Sequence, residues 1–348
     1  MATTFSALPI IDLSPLSSPT SSQDELLNLS KDLYSVFATT GFAYLTNSPI
    51  SFSHEDVLNL SADFFAMDSE EKMSLAKETF KPKNNNSYRG YFPIQPGQQD
   101  NLKEGFEVGS SSRKASTSRP RHKFNLTEPN VWPSESAFSN GRARLEKLHS
   151  ELQTLSSTLL SLLAISLDKP ADYFTNYLTD SLSTLRLLHY PPQTPPSSTE
   201  DRVKLCCTPH TDSGILTLLH QDPTGGLEVL NAAGDWIAAP YVPGSIVVNI
   251  GDLLAQVSGG RFVATMHRVR TTSTTSESIG GRSGLGRMSV PFFFEPGEAC
   301  VVRSVDGGDG VVYGEHMRKK MGTWVEYQDE PEVKLSGTLQ PTLVSVEA

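Results

Sequence analysis

His210 and Asp212 stand two apart in the stretch "CTPHTDSGILTLLHQD", and apolar residues follow at once. In an extended chain, residues i and i+2 point to the same side, so imidazole and carboxylate converge on one point. A third candidate, His267 in "TMHRVR", also lies in strand-like sequence. Two imidazoles and one carboxylate on one face of a metal suit Fe(II). The carboxylate partly neutralises the ion, and open positions remain for a co-substrate and O2. The bland reading is a polar turn leading into a strand, because an HxD pair by itself is common. His54, His122, His149, His220 and His316 have no comparable setting and read as structural or surface residues.

Further along comes "RMSVPFFFEP", with Arg287 and Ser289 again two apart on a predicted strand. An Arg fork beside a hydroxyl is a good cradle for a carboxylate. A divalent metal site and an anion clamp on a neighbouring strand together imply a small carboxylate docked beside the metal. The same alternation aims Phe293 to the side of Arg287 and Ser289, and turns Phe292 and Phe294 toward flanking helices. Phe293 is therefore a candidate substrate contact, with plain core as the alternative.

Long apolar segments must hold these residues in place. The 348 residues are 37% hydrophobic and 20% charged, enough for one large core or two modest ones. "LPIIDL" reads as a strand. "DELLNLSKDLYSVFATTG" reads as a helix ended by Gly41, "FAYLTN" as a strand and "HEDVLNLSADFFAM" as a second helix. Asp68 or Ser69 can cap a short third helix. Residues Pro82 to Ser136 read as irregular, including a solvated Ser/Arg loop from Ser110 to Lys123. A long helix follows from about Gly141 to Leu167, with leucines 145, 148, 152, 155, 159 and 163 in one core-facing stripe.

From Leu182 onward, short apolar runs recur between Gly, Pro, Asn and Asp: "TLRLLHY", "GILTLLHQ", "LEVL", "DWIAAP", "SIVVNI", "RFVATMHRVR", "RMSVPFFFE" and "ACVVRS". This spacing predicts a jelly roll. "LEVLNAAGDWI" reads as a hairpin turning at Gly234. Two long loops, "PPQTPPSSTEDR" and Thr271 to Gly286, interrupt the run, and a short helix near "GEHMRKKMGTWVEY" precedes an acidic tail.

The net charge of -10 argues against nucleic acid as a partner. Three cysteines, Cys206, Cys207 and Cys300, give no disulfide framework and suit a reducing compartment. The adjacent pair reads as strand filler. The start lacks the features of a signal peptide, and the longest apolar run is too short and too polar for a membrane span. The expectation is a soluble, cytoplasmic protein with a small-molecule substrate. Nothing in the sequence sets its oligomeric state, and a monomer fits.

The order HxD, distal His, RxS resembles the isopenicillin N synthase-like branch of the iron and 2-oxoglutarate-dependent dioxygenases. "LPIIDL", "TGFAYLTN" and "GGLEVLNAAGDWIAAPYVPGSIVVNIGDLL" resemble further family segments, so the likeness spans roughly Leu8 to Gln328. "DNLKEGFEVG" and "LRLLHYPP" are most similar to fungal natural-product members. The resemblance implies an α+β fold with a mainly β core, a distorted double-stranded β-helix (jelly roll) flanked by helices. It divides the chain into an N-terminal α/β region (1–136), a long helix and connection (137–181), the oxygenase domain (182–328) and a tail (329–348).

The resemblance also implies Fe(II) held by His210, Asp212 and His267, and 2-oxoglutarate bound by Arg287, Ser289 and Tyr190. O2 and 2-oxoglutarate would then oxidise a small organic substrate by hydroxylation, desaturation or ring closure, releasing succinate and CO2. Arg89 and Tyr91 of "SYRGYF" resemble family positions near the substrate. Leu188 stands where many plant members carry Asn, which removes one polar contact. His189 alternates away from Tyr190 and should point into packing. Three alternatives stay open. One is an oxidase of the same family that uses its RxS on the substrate's own carboxylate. Another is a non-catalytic binding protein on this fold. The last, a hydrolytic zinc site, lacks an evident carboxylate base.

Overall fold

The computed structural model describes residues 3–18, 20–95, 97, 101–111, 124–192, 204–271 and 284–322. Most of the Ser110 to Lys123 loop, most of both long loops after Tyr190 and Thr271, and the acidic tail lie outside the described residues.

The chain opens with β1 (Ile10–Asp12), a short helix α1 (Ser14–Ser17) and α2 (Gln23–Phe37). Ser22 and Glu25 form a reciprocal capping box at the start of α2, which satisfies two orphan backbone donors there. β2 (Phe42–Thr46) follows Gly41, whose φ of 70° suits glycine. A second capping box, Ser53 with Asp56, starts α3 (His54–Phe65). Then come α4 (Ser69–Ser74), β3 (Gly90–Phe92), β4 (Glu104–Val108) and α5 (Gly141–Ser166). β3 and β4 correct the expectation of an irregular stretch. Every residue of β4 is buried, including both its glutamates. The charges hid the strand, because the cations that neutralise them come from distant segments.

The C-terminal half supplies β5 (Thr184–Tyr190), β6 (Leu205–His210), β7 (Leu216–Gln221), β8 (Leu227–Leu230), β9 (Trp236–Ala238) and β10 (Ile246–Ile250). Next come α6 (Asp252–Val257), β11 (His267–Arg270), β12 (Arg287–Phe294), β13 (Val301–Val302), β14 (Val311–Val312) and α7 (Tyr313–Met321). The major sheet runs β1-β2-β10-β7-β12-β5-β4-β3, and the minor sheet β6-β11-β8-β9. Strands from both halves of the chain thus share one sheet. β8 and β9 form the expected hairpin, with Gly234 at φ 88°.

The two faces of the major sheet differ by strand parity. Leu216, Leu218, Val248, Ile250, Val290, Phe292 and Phe294 join the large core against the helices. All six stripe leucines of α5 lie in that core. Alternate residues, among them Leu188, Tyr190, Leu219 and Val247, face the minor sheet with Leu227, Val229 and Val269 in a second, smaller cluster. This sandwich of a large and a small sheet, flanked by helices, is the distorted double-stranded β-helix. The polar residues of the inner face are the ones that build the site.

Candidate active site

β6 and β11 run antiparallel with His210 opposite His267, so pairing alone sets the two imidazoles side by side. Their ring centroids are 4.3 Å apart. Asp212 follows the end of β6. Its Oδ1 lies 3.8 Å from Nε2 of His210 and 3.8 Å from Nε2 of His267. The potential ligand atoms of the three residues all lie within 4.8 Å of one another.

Each of the three is oriented from behind. Nδ1 of His210 donates to the Thr208 carbonyl at 2.8 Å, and Nδ1 of His267 donates to the Thr265 carbonyl at 3.2 Å. These bonds set the tautomers and leave both Nε2 lone pairs for an ion. The other carboxylate oxygen of Asp212 accepts from the Thr217 hydroxyl at 2.6 Å and from the Asn249 amide at 2.8 Å. Thr217 and Asn249 are a cross-strand pair of β7 and β10 on the inner face. Burial pushes the Asp212 carboxyl up, but His267, His210 and these two donors outweigh it and hold the group below the usual carboxylate range. An N2O donor set with outer-shell support, open to the cavity on the His210 side, fits Fe(II).

The clamp lies where β12 meets β5. Arg287 pairs with Tyr190 across the strands, and its guanidinium carbon sits 4.9 Å from the Tyr190 ring centroid. Nε of Arg287 donates to the Gly225 carbonyl at 2.8 Å, and Nη1 donates to the Ser289 hydroxyl at 3.2 Å. Burial pushes the Tyr190 phenol up, so it stays a neutral donor. Arg287 and Ser289 are both buried. Among the described residues no carboxylate lies within ion-pair distance of Arg287. A buried cation in this state fits an incoming carboxylate. Leu188 is buried in the apolar cluster beside Tyr190 and adds no polar contact.

A cavity of about 460 Å³ opens beside His210 and Asp212. Phe293, Thr184, Arg186, Tyr88 and Glu295 form part of its wall. The guanidinium of Arg186 lies 5.1 Å from the Phe293 ring centroid. The Glu295 side chain is buried, and its Oε2 has no hydrogen-bond partner. Burial pushes this carboxyl up to about 7, against the pull of Arg89, the neighbouring Tyr313 hydroxyl and Arg186. Cys207, read as strand filler, lines the cavity as well, with its sulfur 3.8 Å from Nδ1 of His210.

Two residues expected near the substrate, Arg89 and Tyr91, sit behind the cavity wall. Arg89 is not a wall residue of the cavity. It is buried behind Thr184, donating to the Thr184 hydroxyl and the Leu182 carbonyl. Tyr91 is buried too, and its hydroxyl donates to Glu104 at 2.6 Å. Their neighbour Tyr88 is the one that reaches the wall. Motif reading missed Thr217, Asn249, Arg186 and Glu295. Inner-face parity could have found all four, had the strand registers been known.

Residues 181–296 match the 2OG-Fe(II) oxygenase superfamily, and residues 8–135 match a family described as the non-haem dioxygenase in morphine synthesis N-terminal. A 2-oxoglutarate-dependent dioxygenase of Didymella fabae is 34% identical over 310 residues, covering 86% of this chain and 88% of its own. The chain belongs to the 2OG-Fe(II) oxygenase superfamily. The oxygenase is also 32% identical to a homoarginine-6-hydroxylase of Oryza sativa subsp. japonica, over 93% of this chain and 99% of the relative. Among solved structures it resembles a full-length Neurospora crassa protein in complex with alpha-KG and 5-formyluracil. There the TM-score is 0.73 at 26% identity, covering 91% of this chain and 96% of that one. A further structure of the same Neurospora crassa protein holds alpha-KG and thymine. The present chain is an Fe(II)- and 2-oxoglutarate-dependent dioxygenase that oxidises a small organic substrate and releases succinate and CO2. Among the described residues no helix is long and apolar enough to cross a membrane.

Proposed function

We propose that His210, Asp212 and His267 hold the Fe(II), and that Arg287, Ser289 and Tyr190 receive the distal carboxylate of 2-oxoglutarate. The organic substrate enters the cavity bounded by Phe293, Arg186, Tyr88 and Glu295. One observation carries this reading: two Nε2 atoms and one carboxylate oxygen converge, while both Nδ1 atoms and the second oxygen are already engaged behind them. Bound Fe(II) supplies oxygen activation coupled to decarboxylation of the co-substrate.

The chain's own residues do the rest. Arg287 offers a planar fork that orients a carboxylate, and Ser289 and Tyr190 add hydroxyl donors beside it. Phe293 presents an apolar face to the substrate and excludes water. Glu295 adds a buried carboxyl to the same wall, held from behind by Arg89, Tyr313 and Arg186. The fungal origin of relatives in Didymella fabae and Monascus ruber supports a role in fungal secondary metabolism. Cys206, Cys207 and Cys300 form no disulfide among the described residues, which supports a reducing, cytoplasmic setting.

His210→Ala, Asp212→Ala and His267→Ala should each abolish 2-oxoglutarate turnover and iron binding while leaving the circular dichroism spectrum intact. Full iron binding and turnover in any one variant removes that residue from the ligand set. Thymine and homoarginine, taken from the similar proteins, are the first substrates to test by succinate release and product mass.

A further inference from the structure

His189 stands beside the clamp without facing it. On β5 it precedes Tyr190, and across the strands it pairs with Met288, the residue after Arg287. Its ring leaves the sheet on the face opposite Tyr190 and tilts against Phe65 at 5.3 Å between centroids. Nδ1 lies 2.7 Å from Oε1 of Glu104, and Nε2 lies 2.6 Å from the backbone oxygen of Leu285. Both partners are acceptors. Leu285 offers a carbonyl. Burial pushes the Glu104 carboxyl up, but hydrogen bonds from His189 and Tyr91 and the nearby Lys72 ammonium hold it below the usual range, so it is an ionised carboxylate.

The two ring nitrogens thus bridge the Glu104 carboxylate of β4 and the Leu285 carbonyl just before β12. Glu104 lies between His189 and Lys72, whose ammonium is 3.1 Å from the other carboxylate oxygen, so the carboxylate is fixed from both sides.

The second tether is on the backbone. Gly286, between Leu285 and Arg287, has φ 83°, and a Cβ there would lie 2.2 Å from the Tyr190 carbonyl oxygen. The chain entering β12 is therefore gripped twice. Leu285 is tied through His189 to Glu104 of β4, and Gly286 is pressed against the backbone of Tyr190. The very next residue is Arg287. We infer that His189, bridging Glu104 and the Leu285 carbonyl through its two ring nitrogens, is a positioning residue for the 2-oxoglutarate clamp. This rests on the reading that Arg287 binds the co-substrate.

The test is anaerobic titration of the Fe(II)-loaded protein with 2-oxoglutarate, alongside steady-state kinetics. His189→Phe keeps a ring against Phe65 and removes both ring nitrogens. His189→Gln keeps a single amide donor and is the milder variant should the first fold poorly. Arg287→Lys is the control for the clamp itself. The expected result is a 2-oxoglutarate Kd and KM raised about tenfold to 100-fold in His189→Phe, as for other outer-shell partners, and raised less in His189→Gln. kcat at saturating 2-oxoglutarate should stay within about threefold, because a positioning defect is one of binding. If Arg287→Lys weakens 2-oxoglutarate and neither His189 variant does, the positioning role is wrong and the clamp stands. If kcat falls with thermal stability while KM is unchanged, His189 is merely structural. If Arg287→Lys leaves 2-oxoglutarate binding intact, the clamp reading and this inference fall together.

Discussion

Thr217→Val removes one atom's chemistry from the metal site and almost none of its shape. The Thr217 hydroxyl donates to Oδ2 of Asp212 at 2.6 Å, in a position only 4% exposed. A hydrogen bond to a buried charged group contributes about 1.5–3 kcal/mol. At about 1.4 kcal/mol per tenfold, its loss should weaken Fe(II) binding roughly tenfold to 150-fold. Asn249 would still hold Oδ2 at 2.8 Å, which favours the lower half of that range. Outer-shell substitutions in metal sites typically cost about 10–100-fold, an independent figure of the same size. The assay is competition of the anaerobic apoprotein against a chelator of known affinity, with wild type, Thr217→Val and Asp212→Ala side by side. Turnover at saturating iron should recover most of the wild-type rate. The metal-free protein should lose about 1–3 kcal/mol of stability, because Asp212 keeps only one of its two side-chain donors. Unchanged iron affinity in Thr217→Val, with binding abolished in Asp212→Ala, would refute the reasoning. The orientation of Asp212 would then come from its backbone, whose carbonyl accepts from the Asp252 amide at 2.7 Å.

Adjacent phenylalanines on β12 should behave oppositely. Phe292→Ala opens the fully buried core beside His149 and should cost about 3–5 kcal/mol by thermal or denaturant unfolding, with product ratio unchanged. Phe293→Ala enlarges the cavity and should change substrate preference or product ratio with a smaller loss of stability; the reverse pattern would assign Phe293 to the core. His220 should make the fold acid-sensitive. Burial and the neighbouring His54 push its imidazole down to about 3, so the unfolded chain binds a proton that the folded chain refuses. That stability is fully present above the ordinary histidine value of about 6.5 and is lost at about 1.4 kcal/mol per pH unit below it, down to the folded value. In His220→Leu the slope of unfolding free energy between about pH 6 and pH 4 should flatten by that amount; an unchanged slope would place the acid sensitivity elsewhere.

What the sequence made legible follows from where the chemistry is local. RxS is a two-residue spacing on β12, so parity alone turned that pair to one side, and Asp212 lies just past the end of β6; the β6–β11 register then set His210 opposite His267, and the β12–β5 register set Arg287 opposite Tyr190. The α5 stripe and the reversal from Phe292 to Phe293 are periodicities of the same local kind. β4 was invisible for a different reason. Glu104 is held by Lys72, Tyr91 and His189, and Glu107 by Lys77 and Arg186. These partners come from four other elements or loops, so nothing near "EGFEV" announces that its charges are buried. Arg89 and Tyr91 are engaged likewise: their polar tips meet Thr184 and Glu104 inside the fold. Glu295 marks the boundary between the two cases. The alternation that gives Arg287, Ser289 and Phe293 continues to position 295, one residue past the end of β12. A strand reading extended by that one residue would have placed a carboxyl on the cavity wall. Burying a carboxyl with an unengaged oxygen is unfavourable for folding. Its Oε2 lies out of reach of solvent, and Arg89, Tyr313 and Arg186 act on the carboxyl from inside the fold, so position 295 follows strand parity and yet, like the glutamates of β4, depends on partners from distant segments.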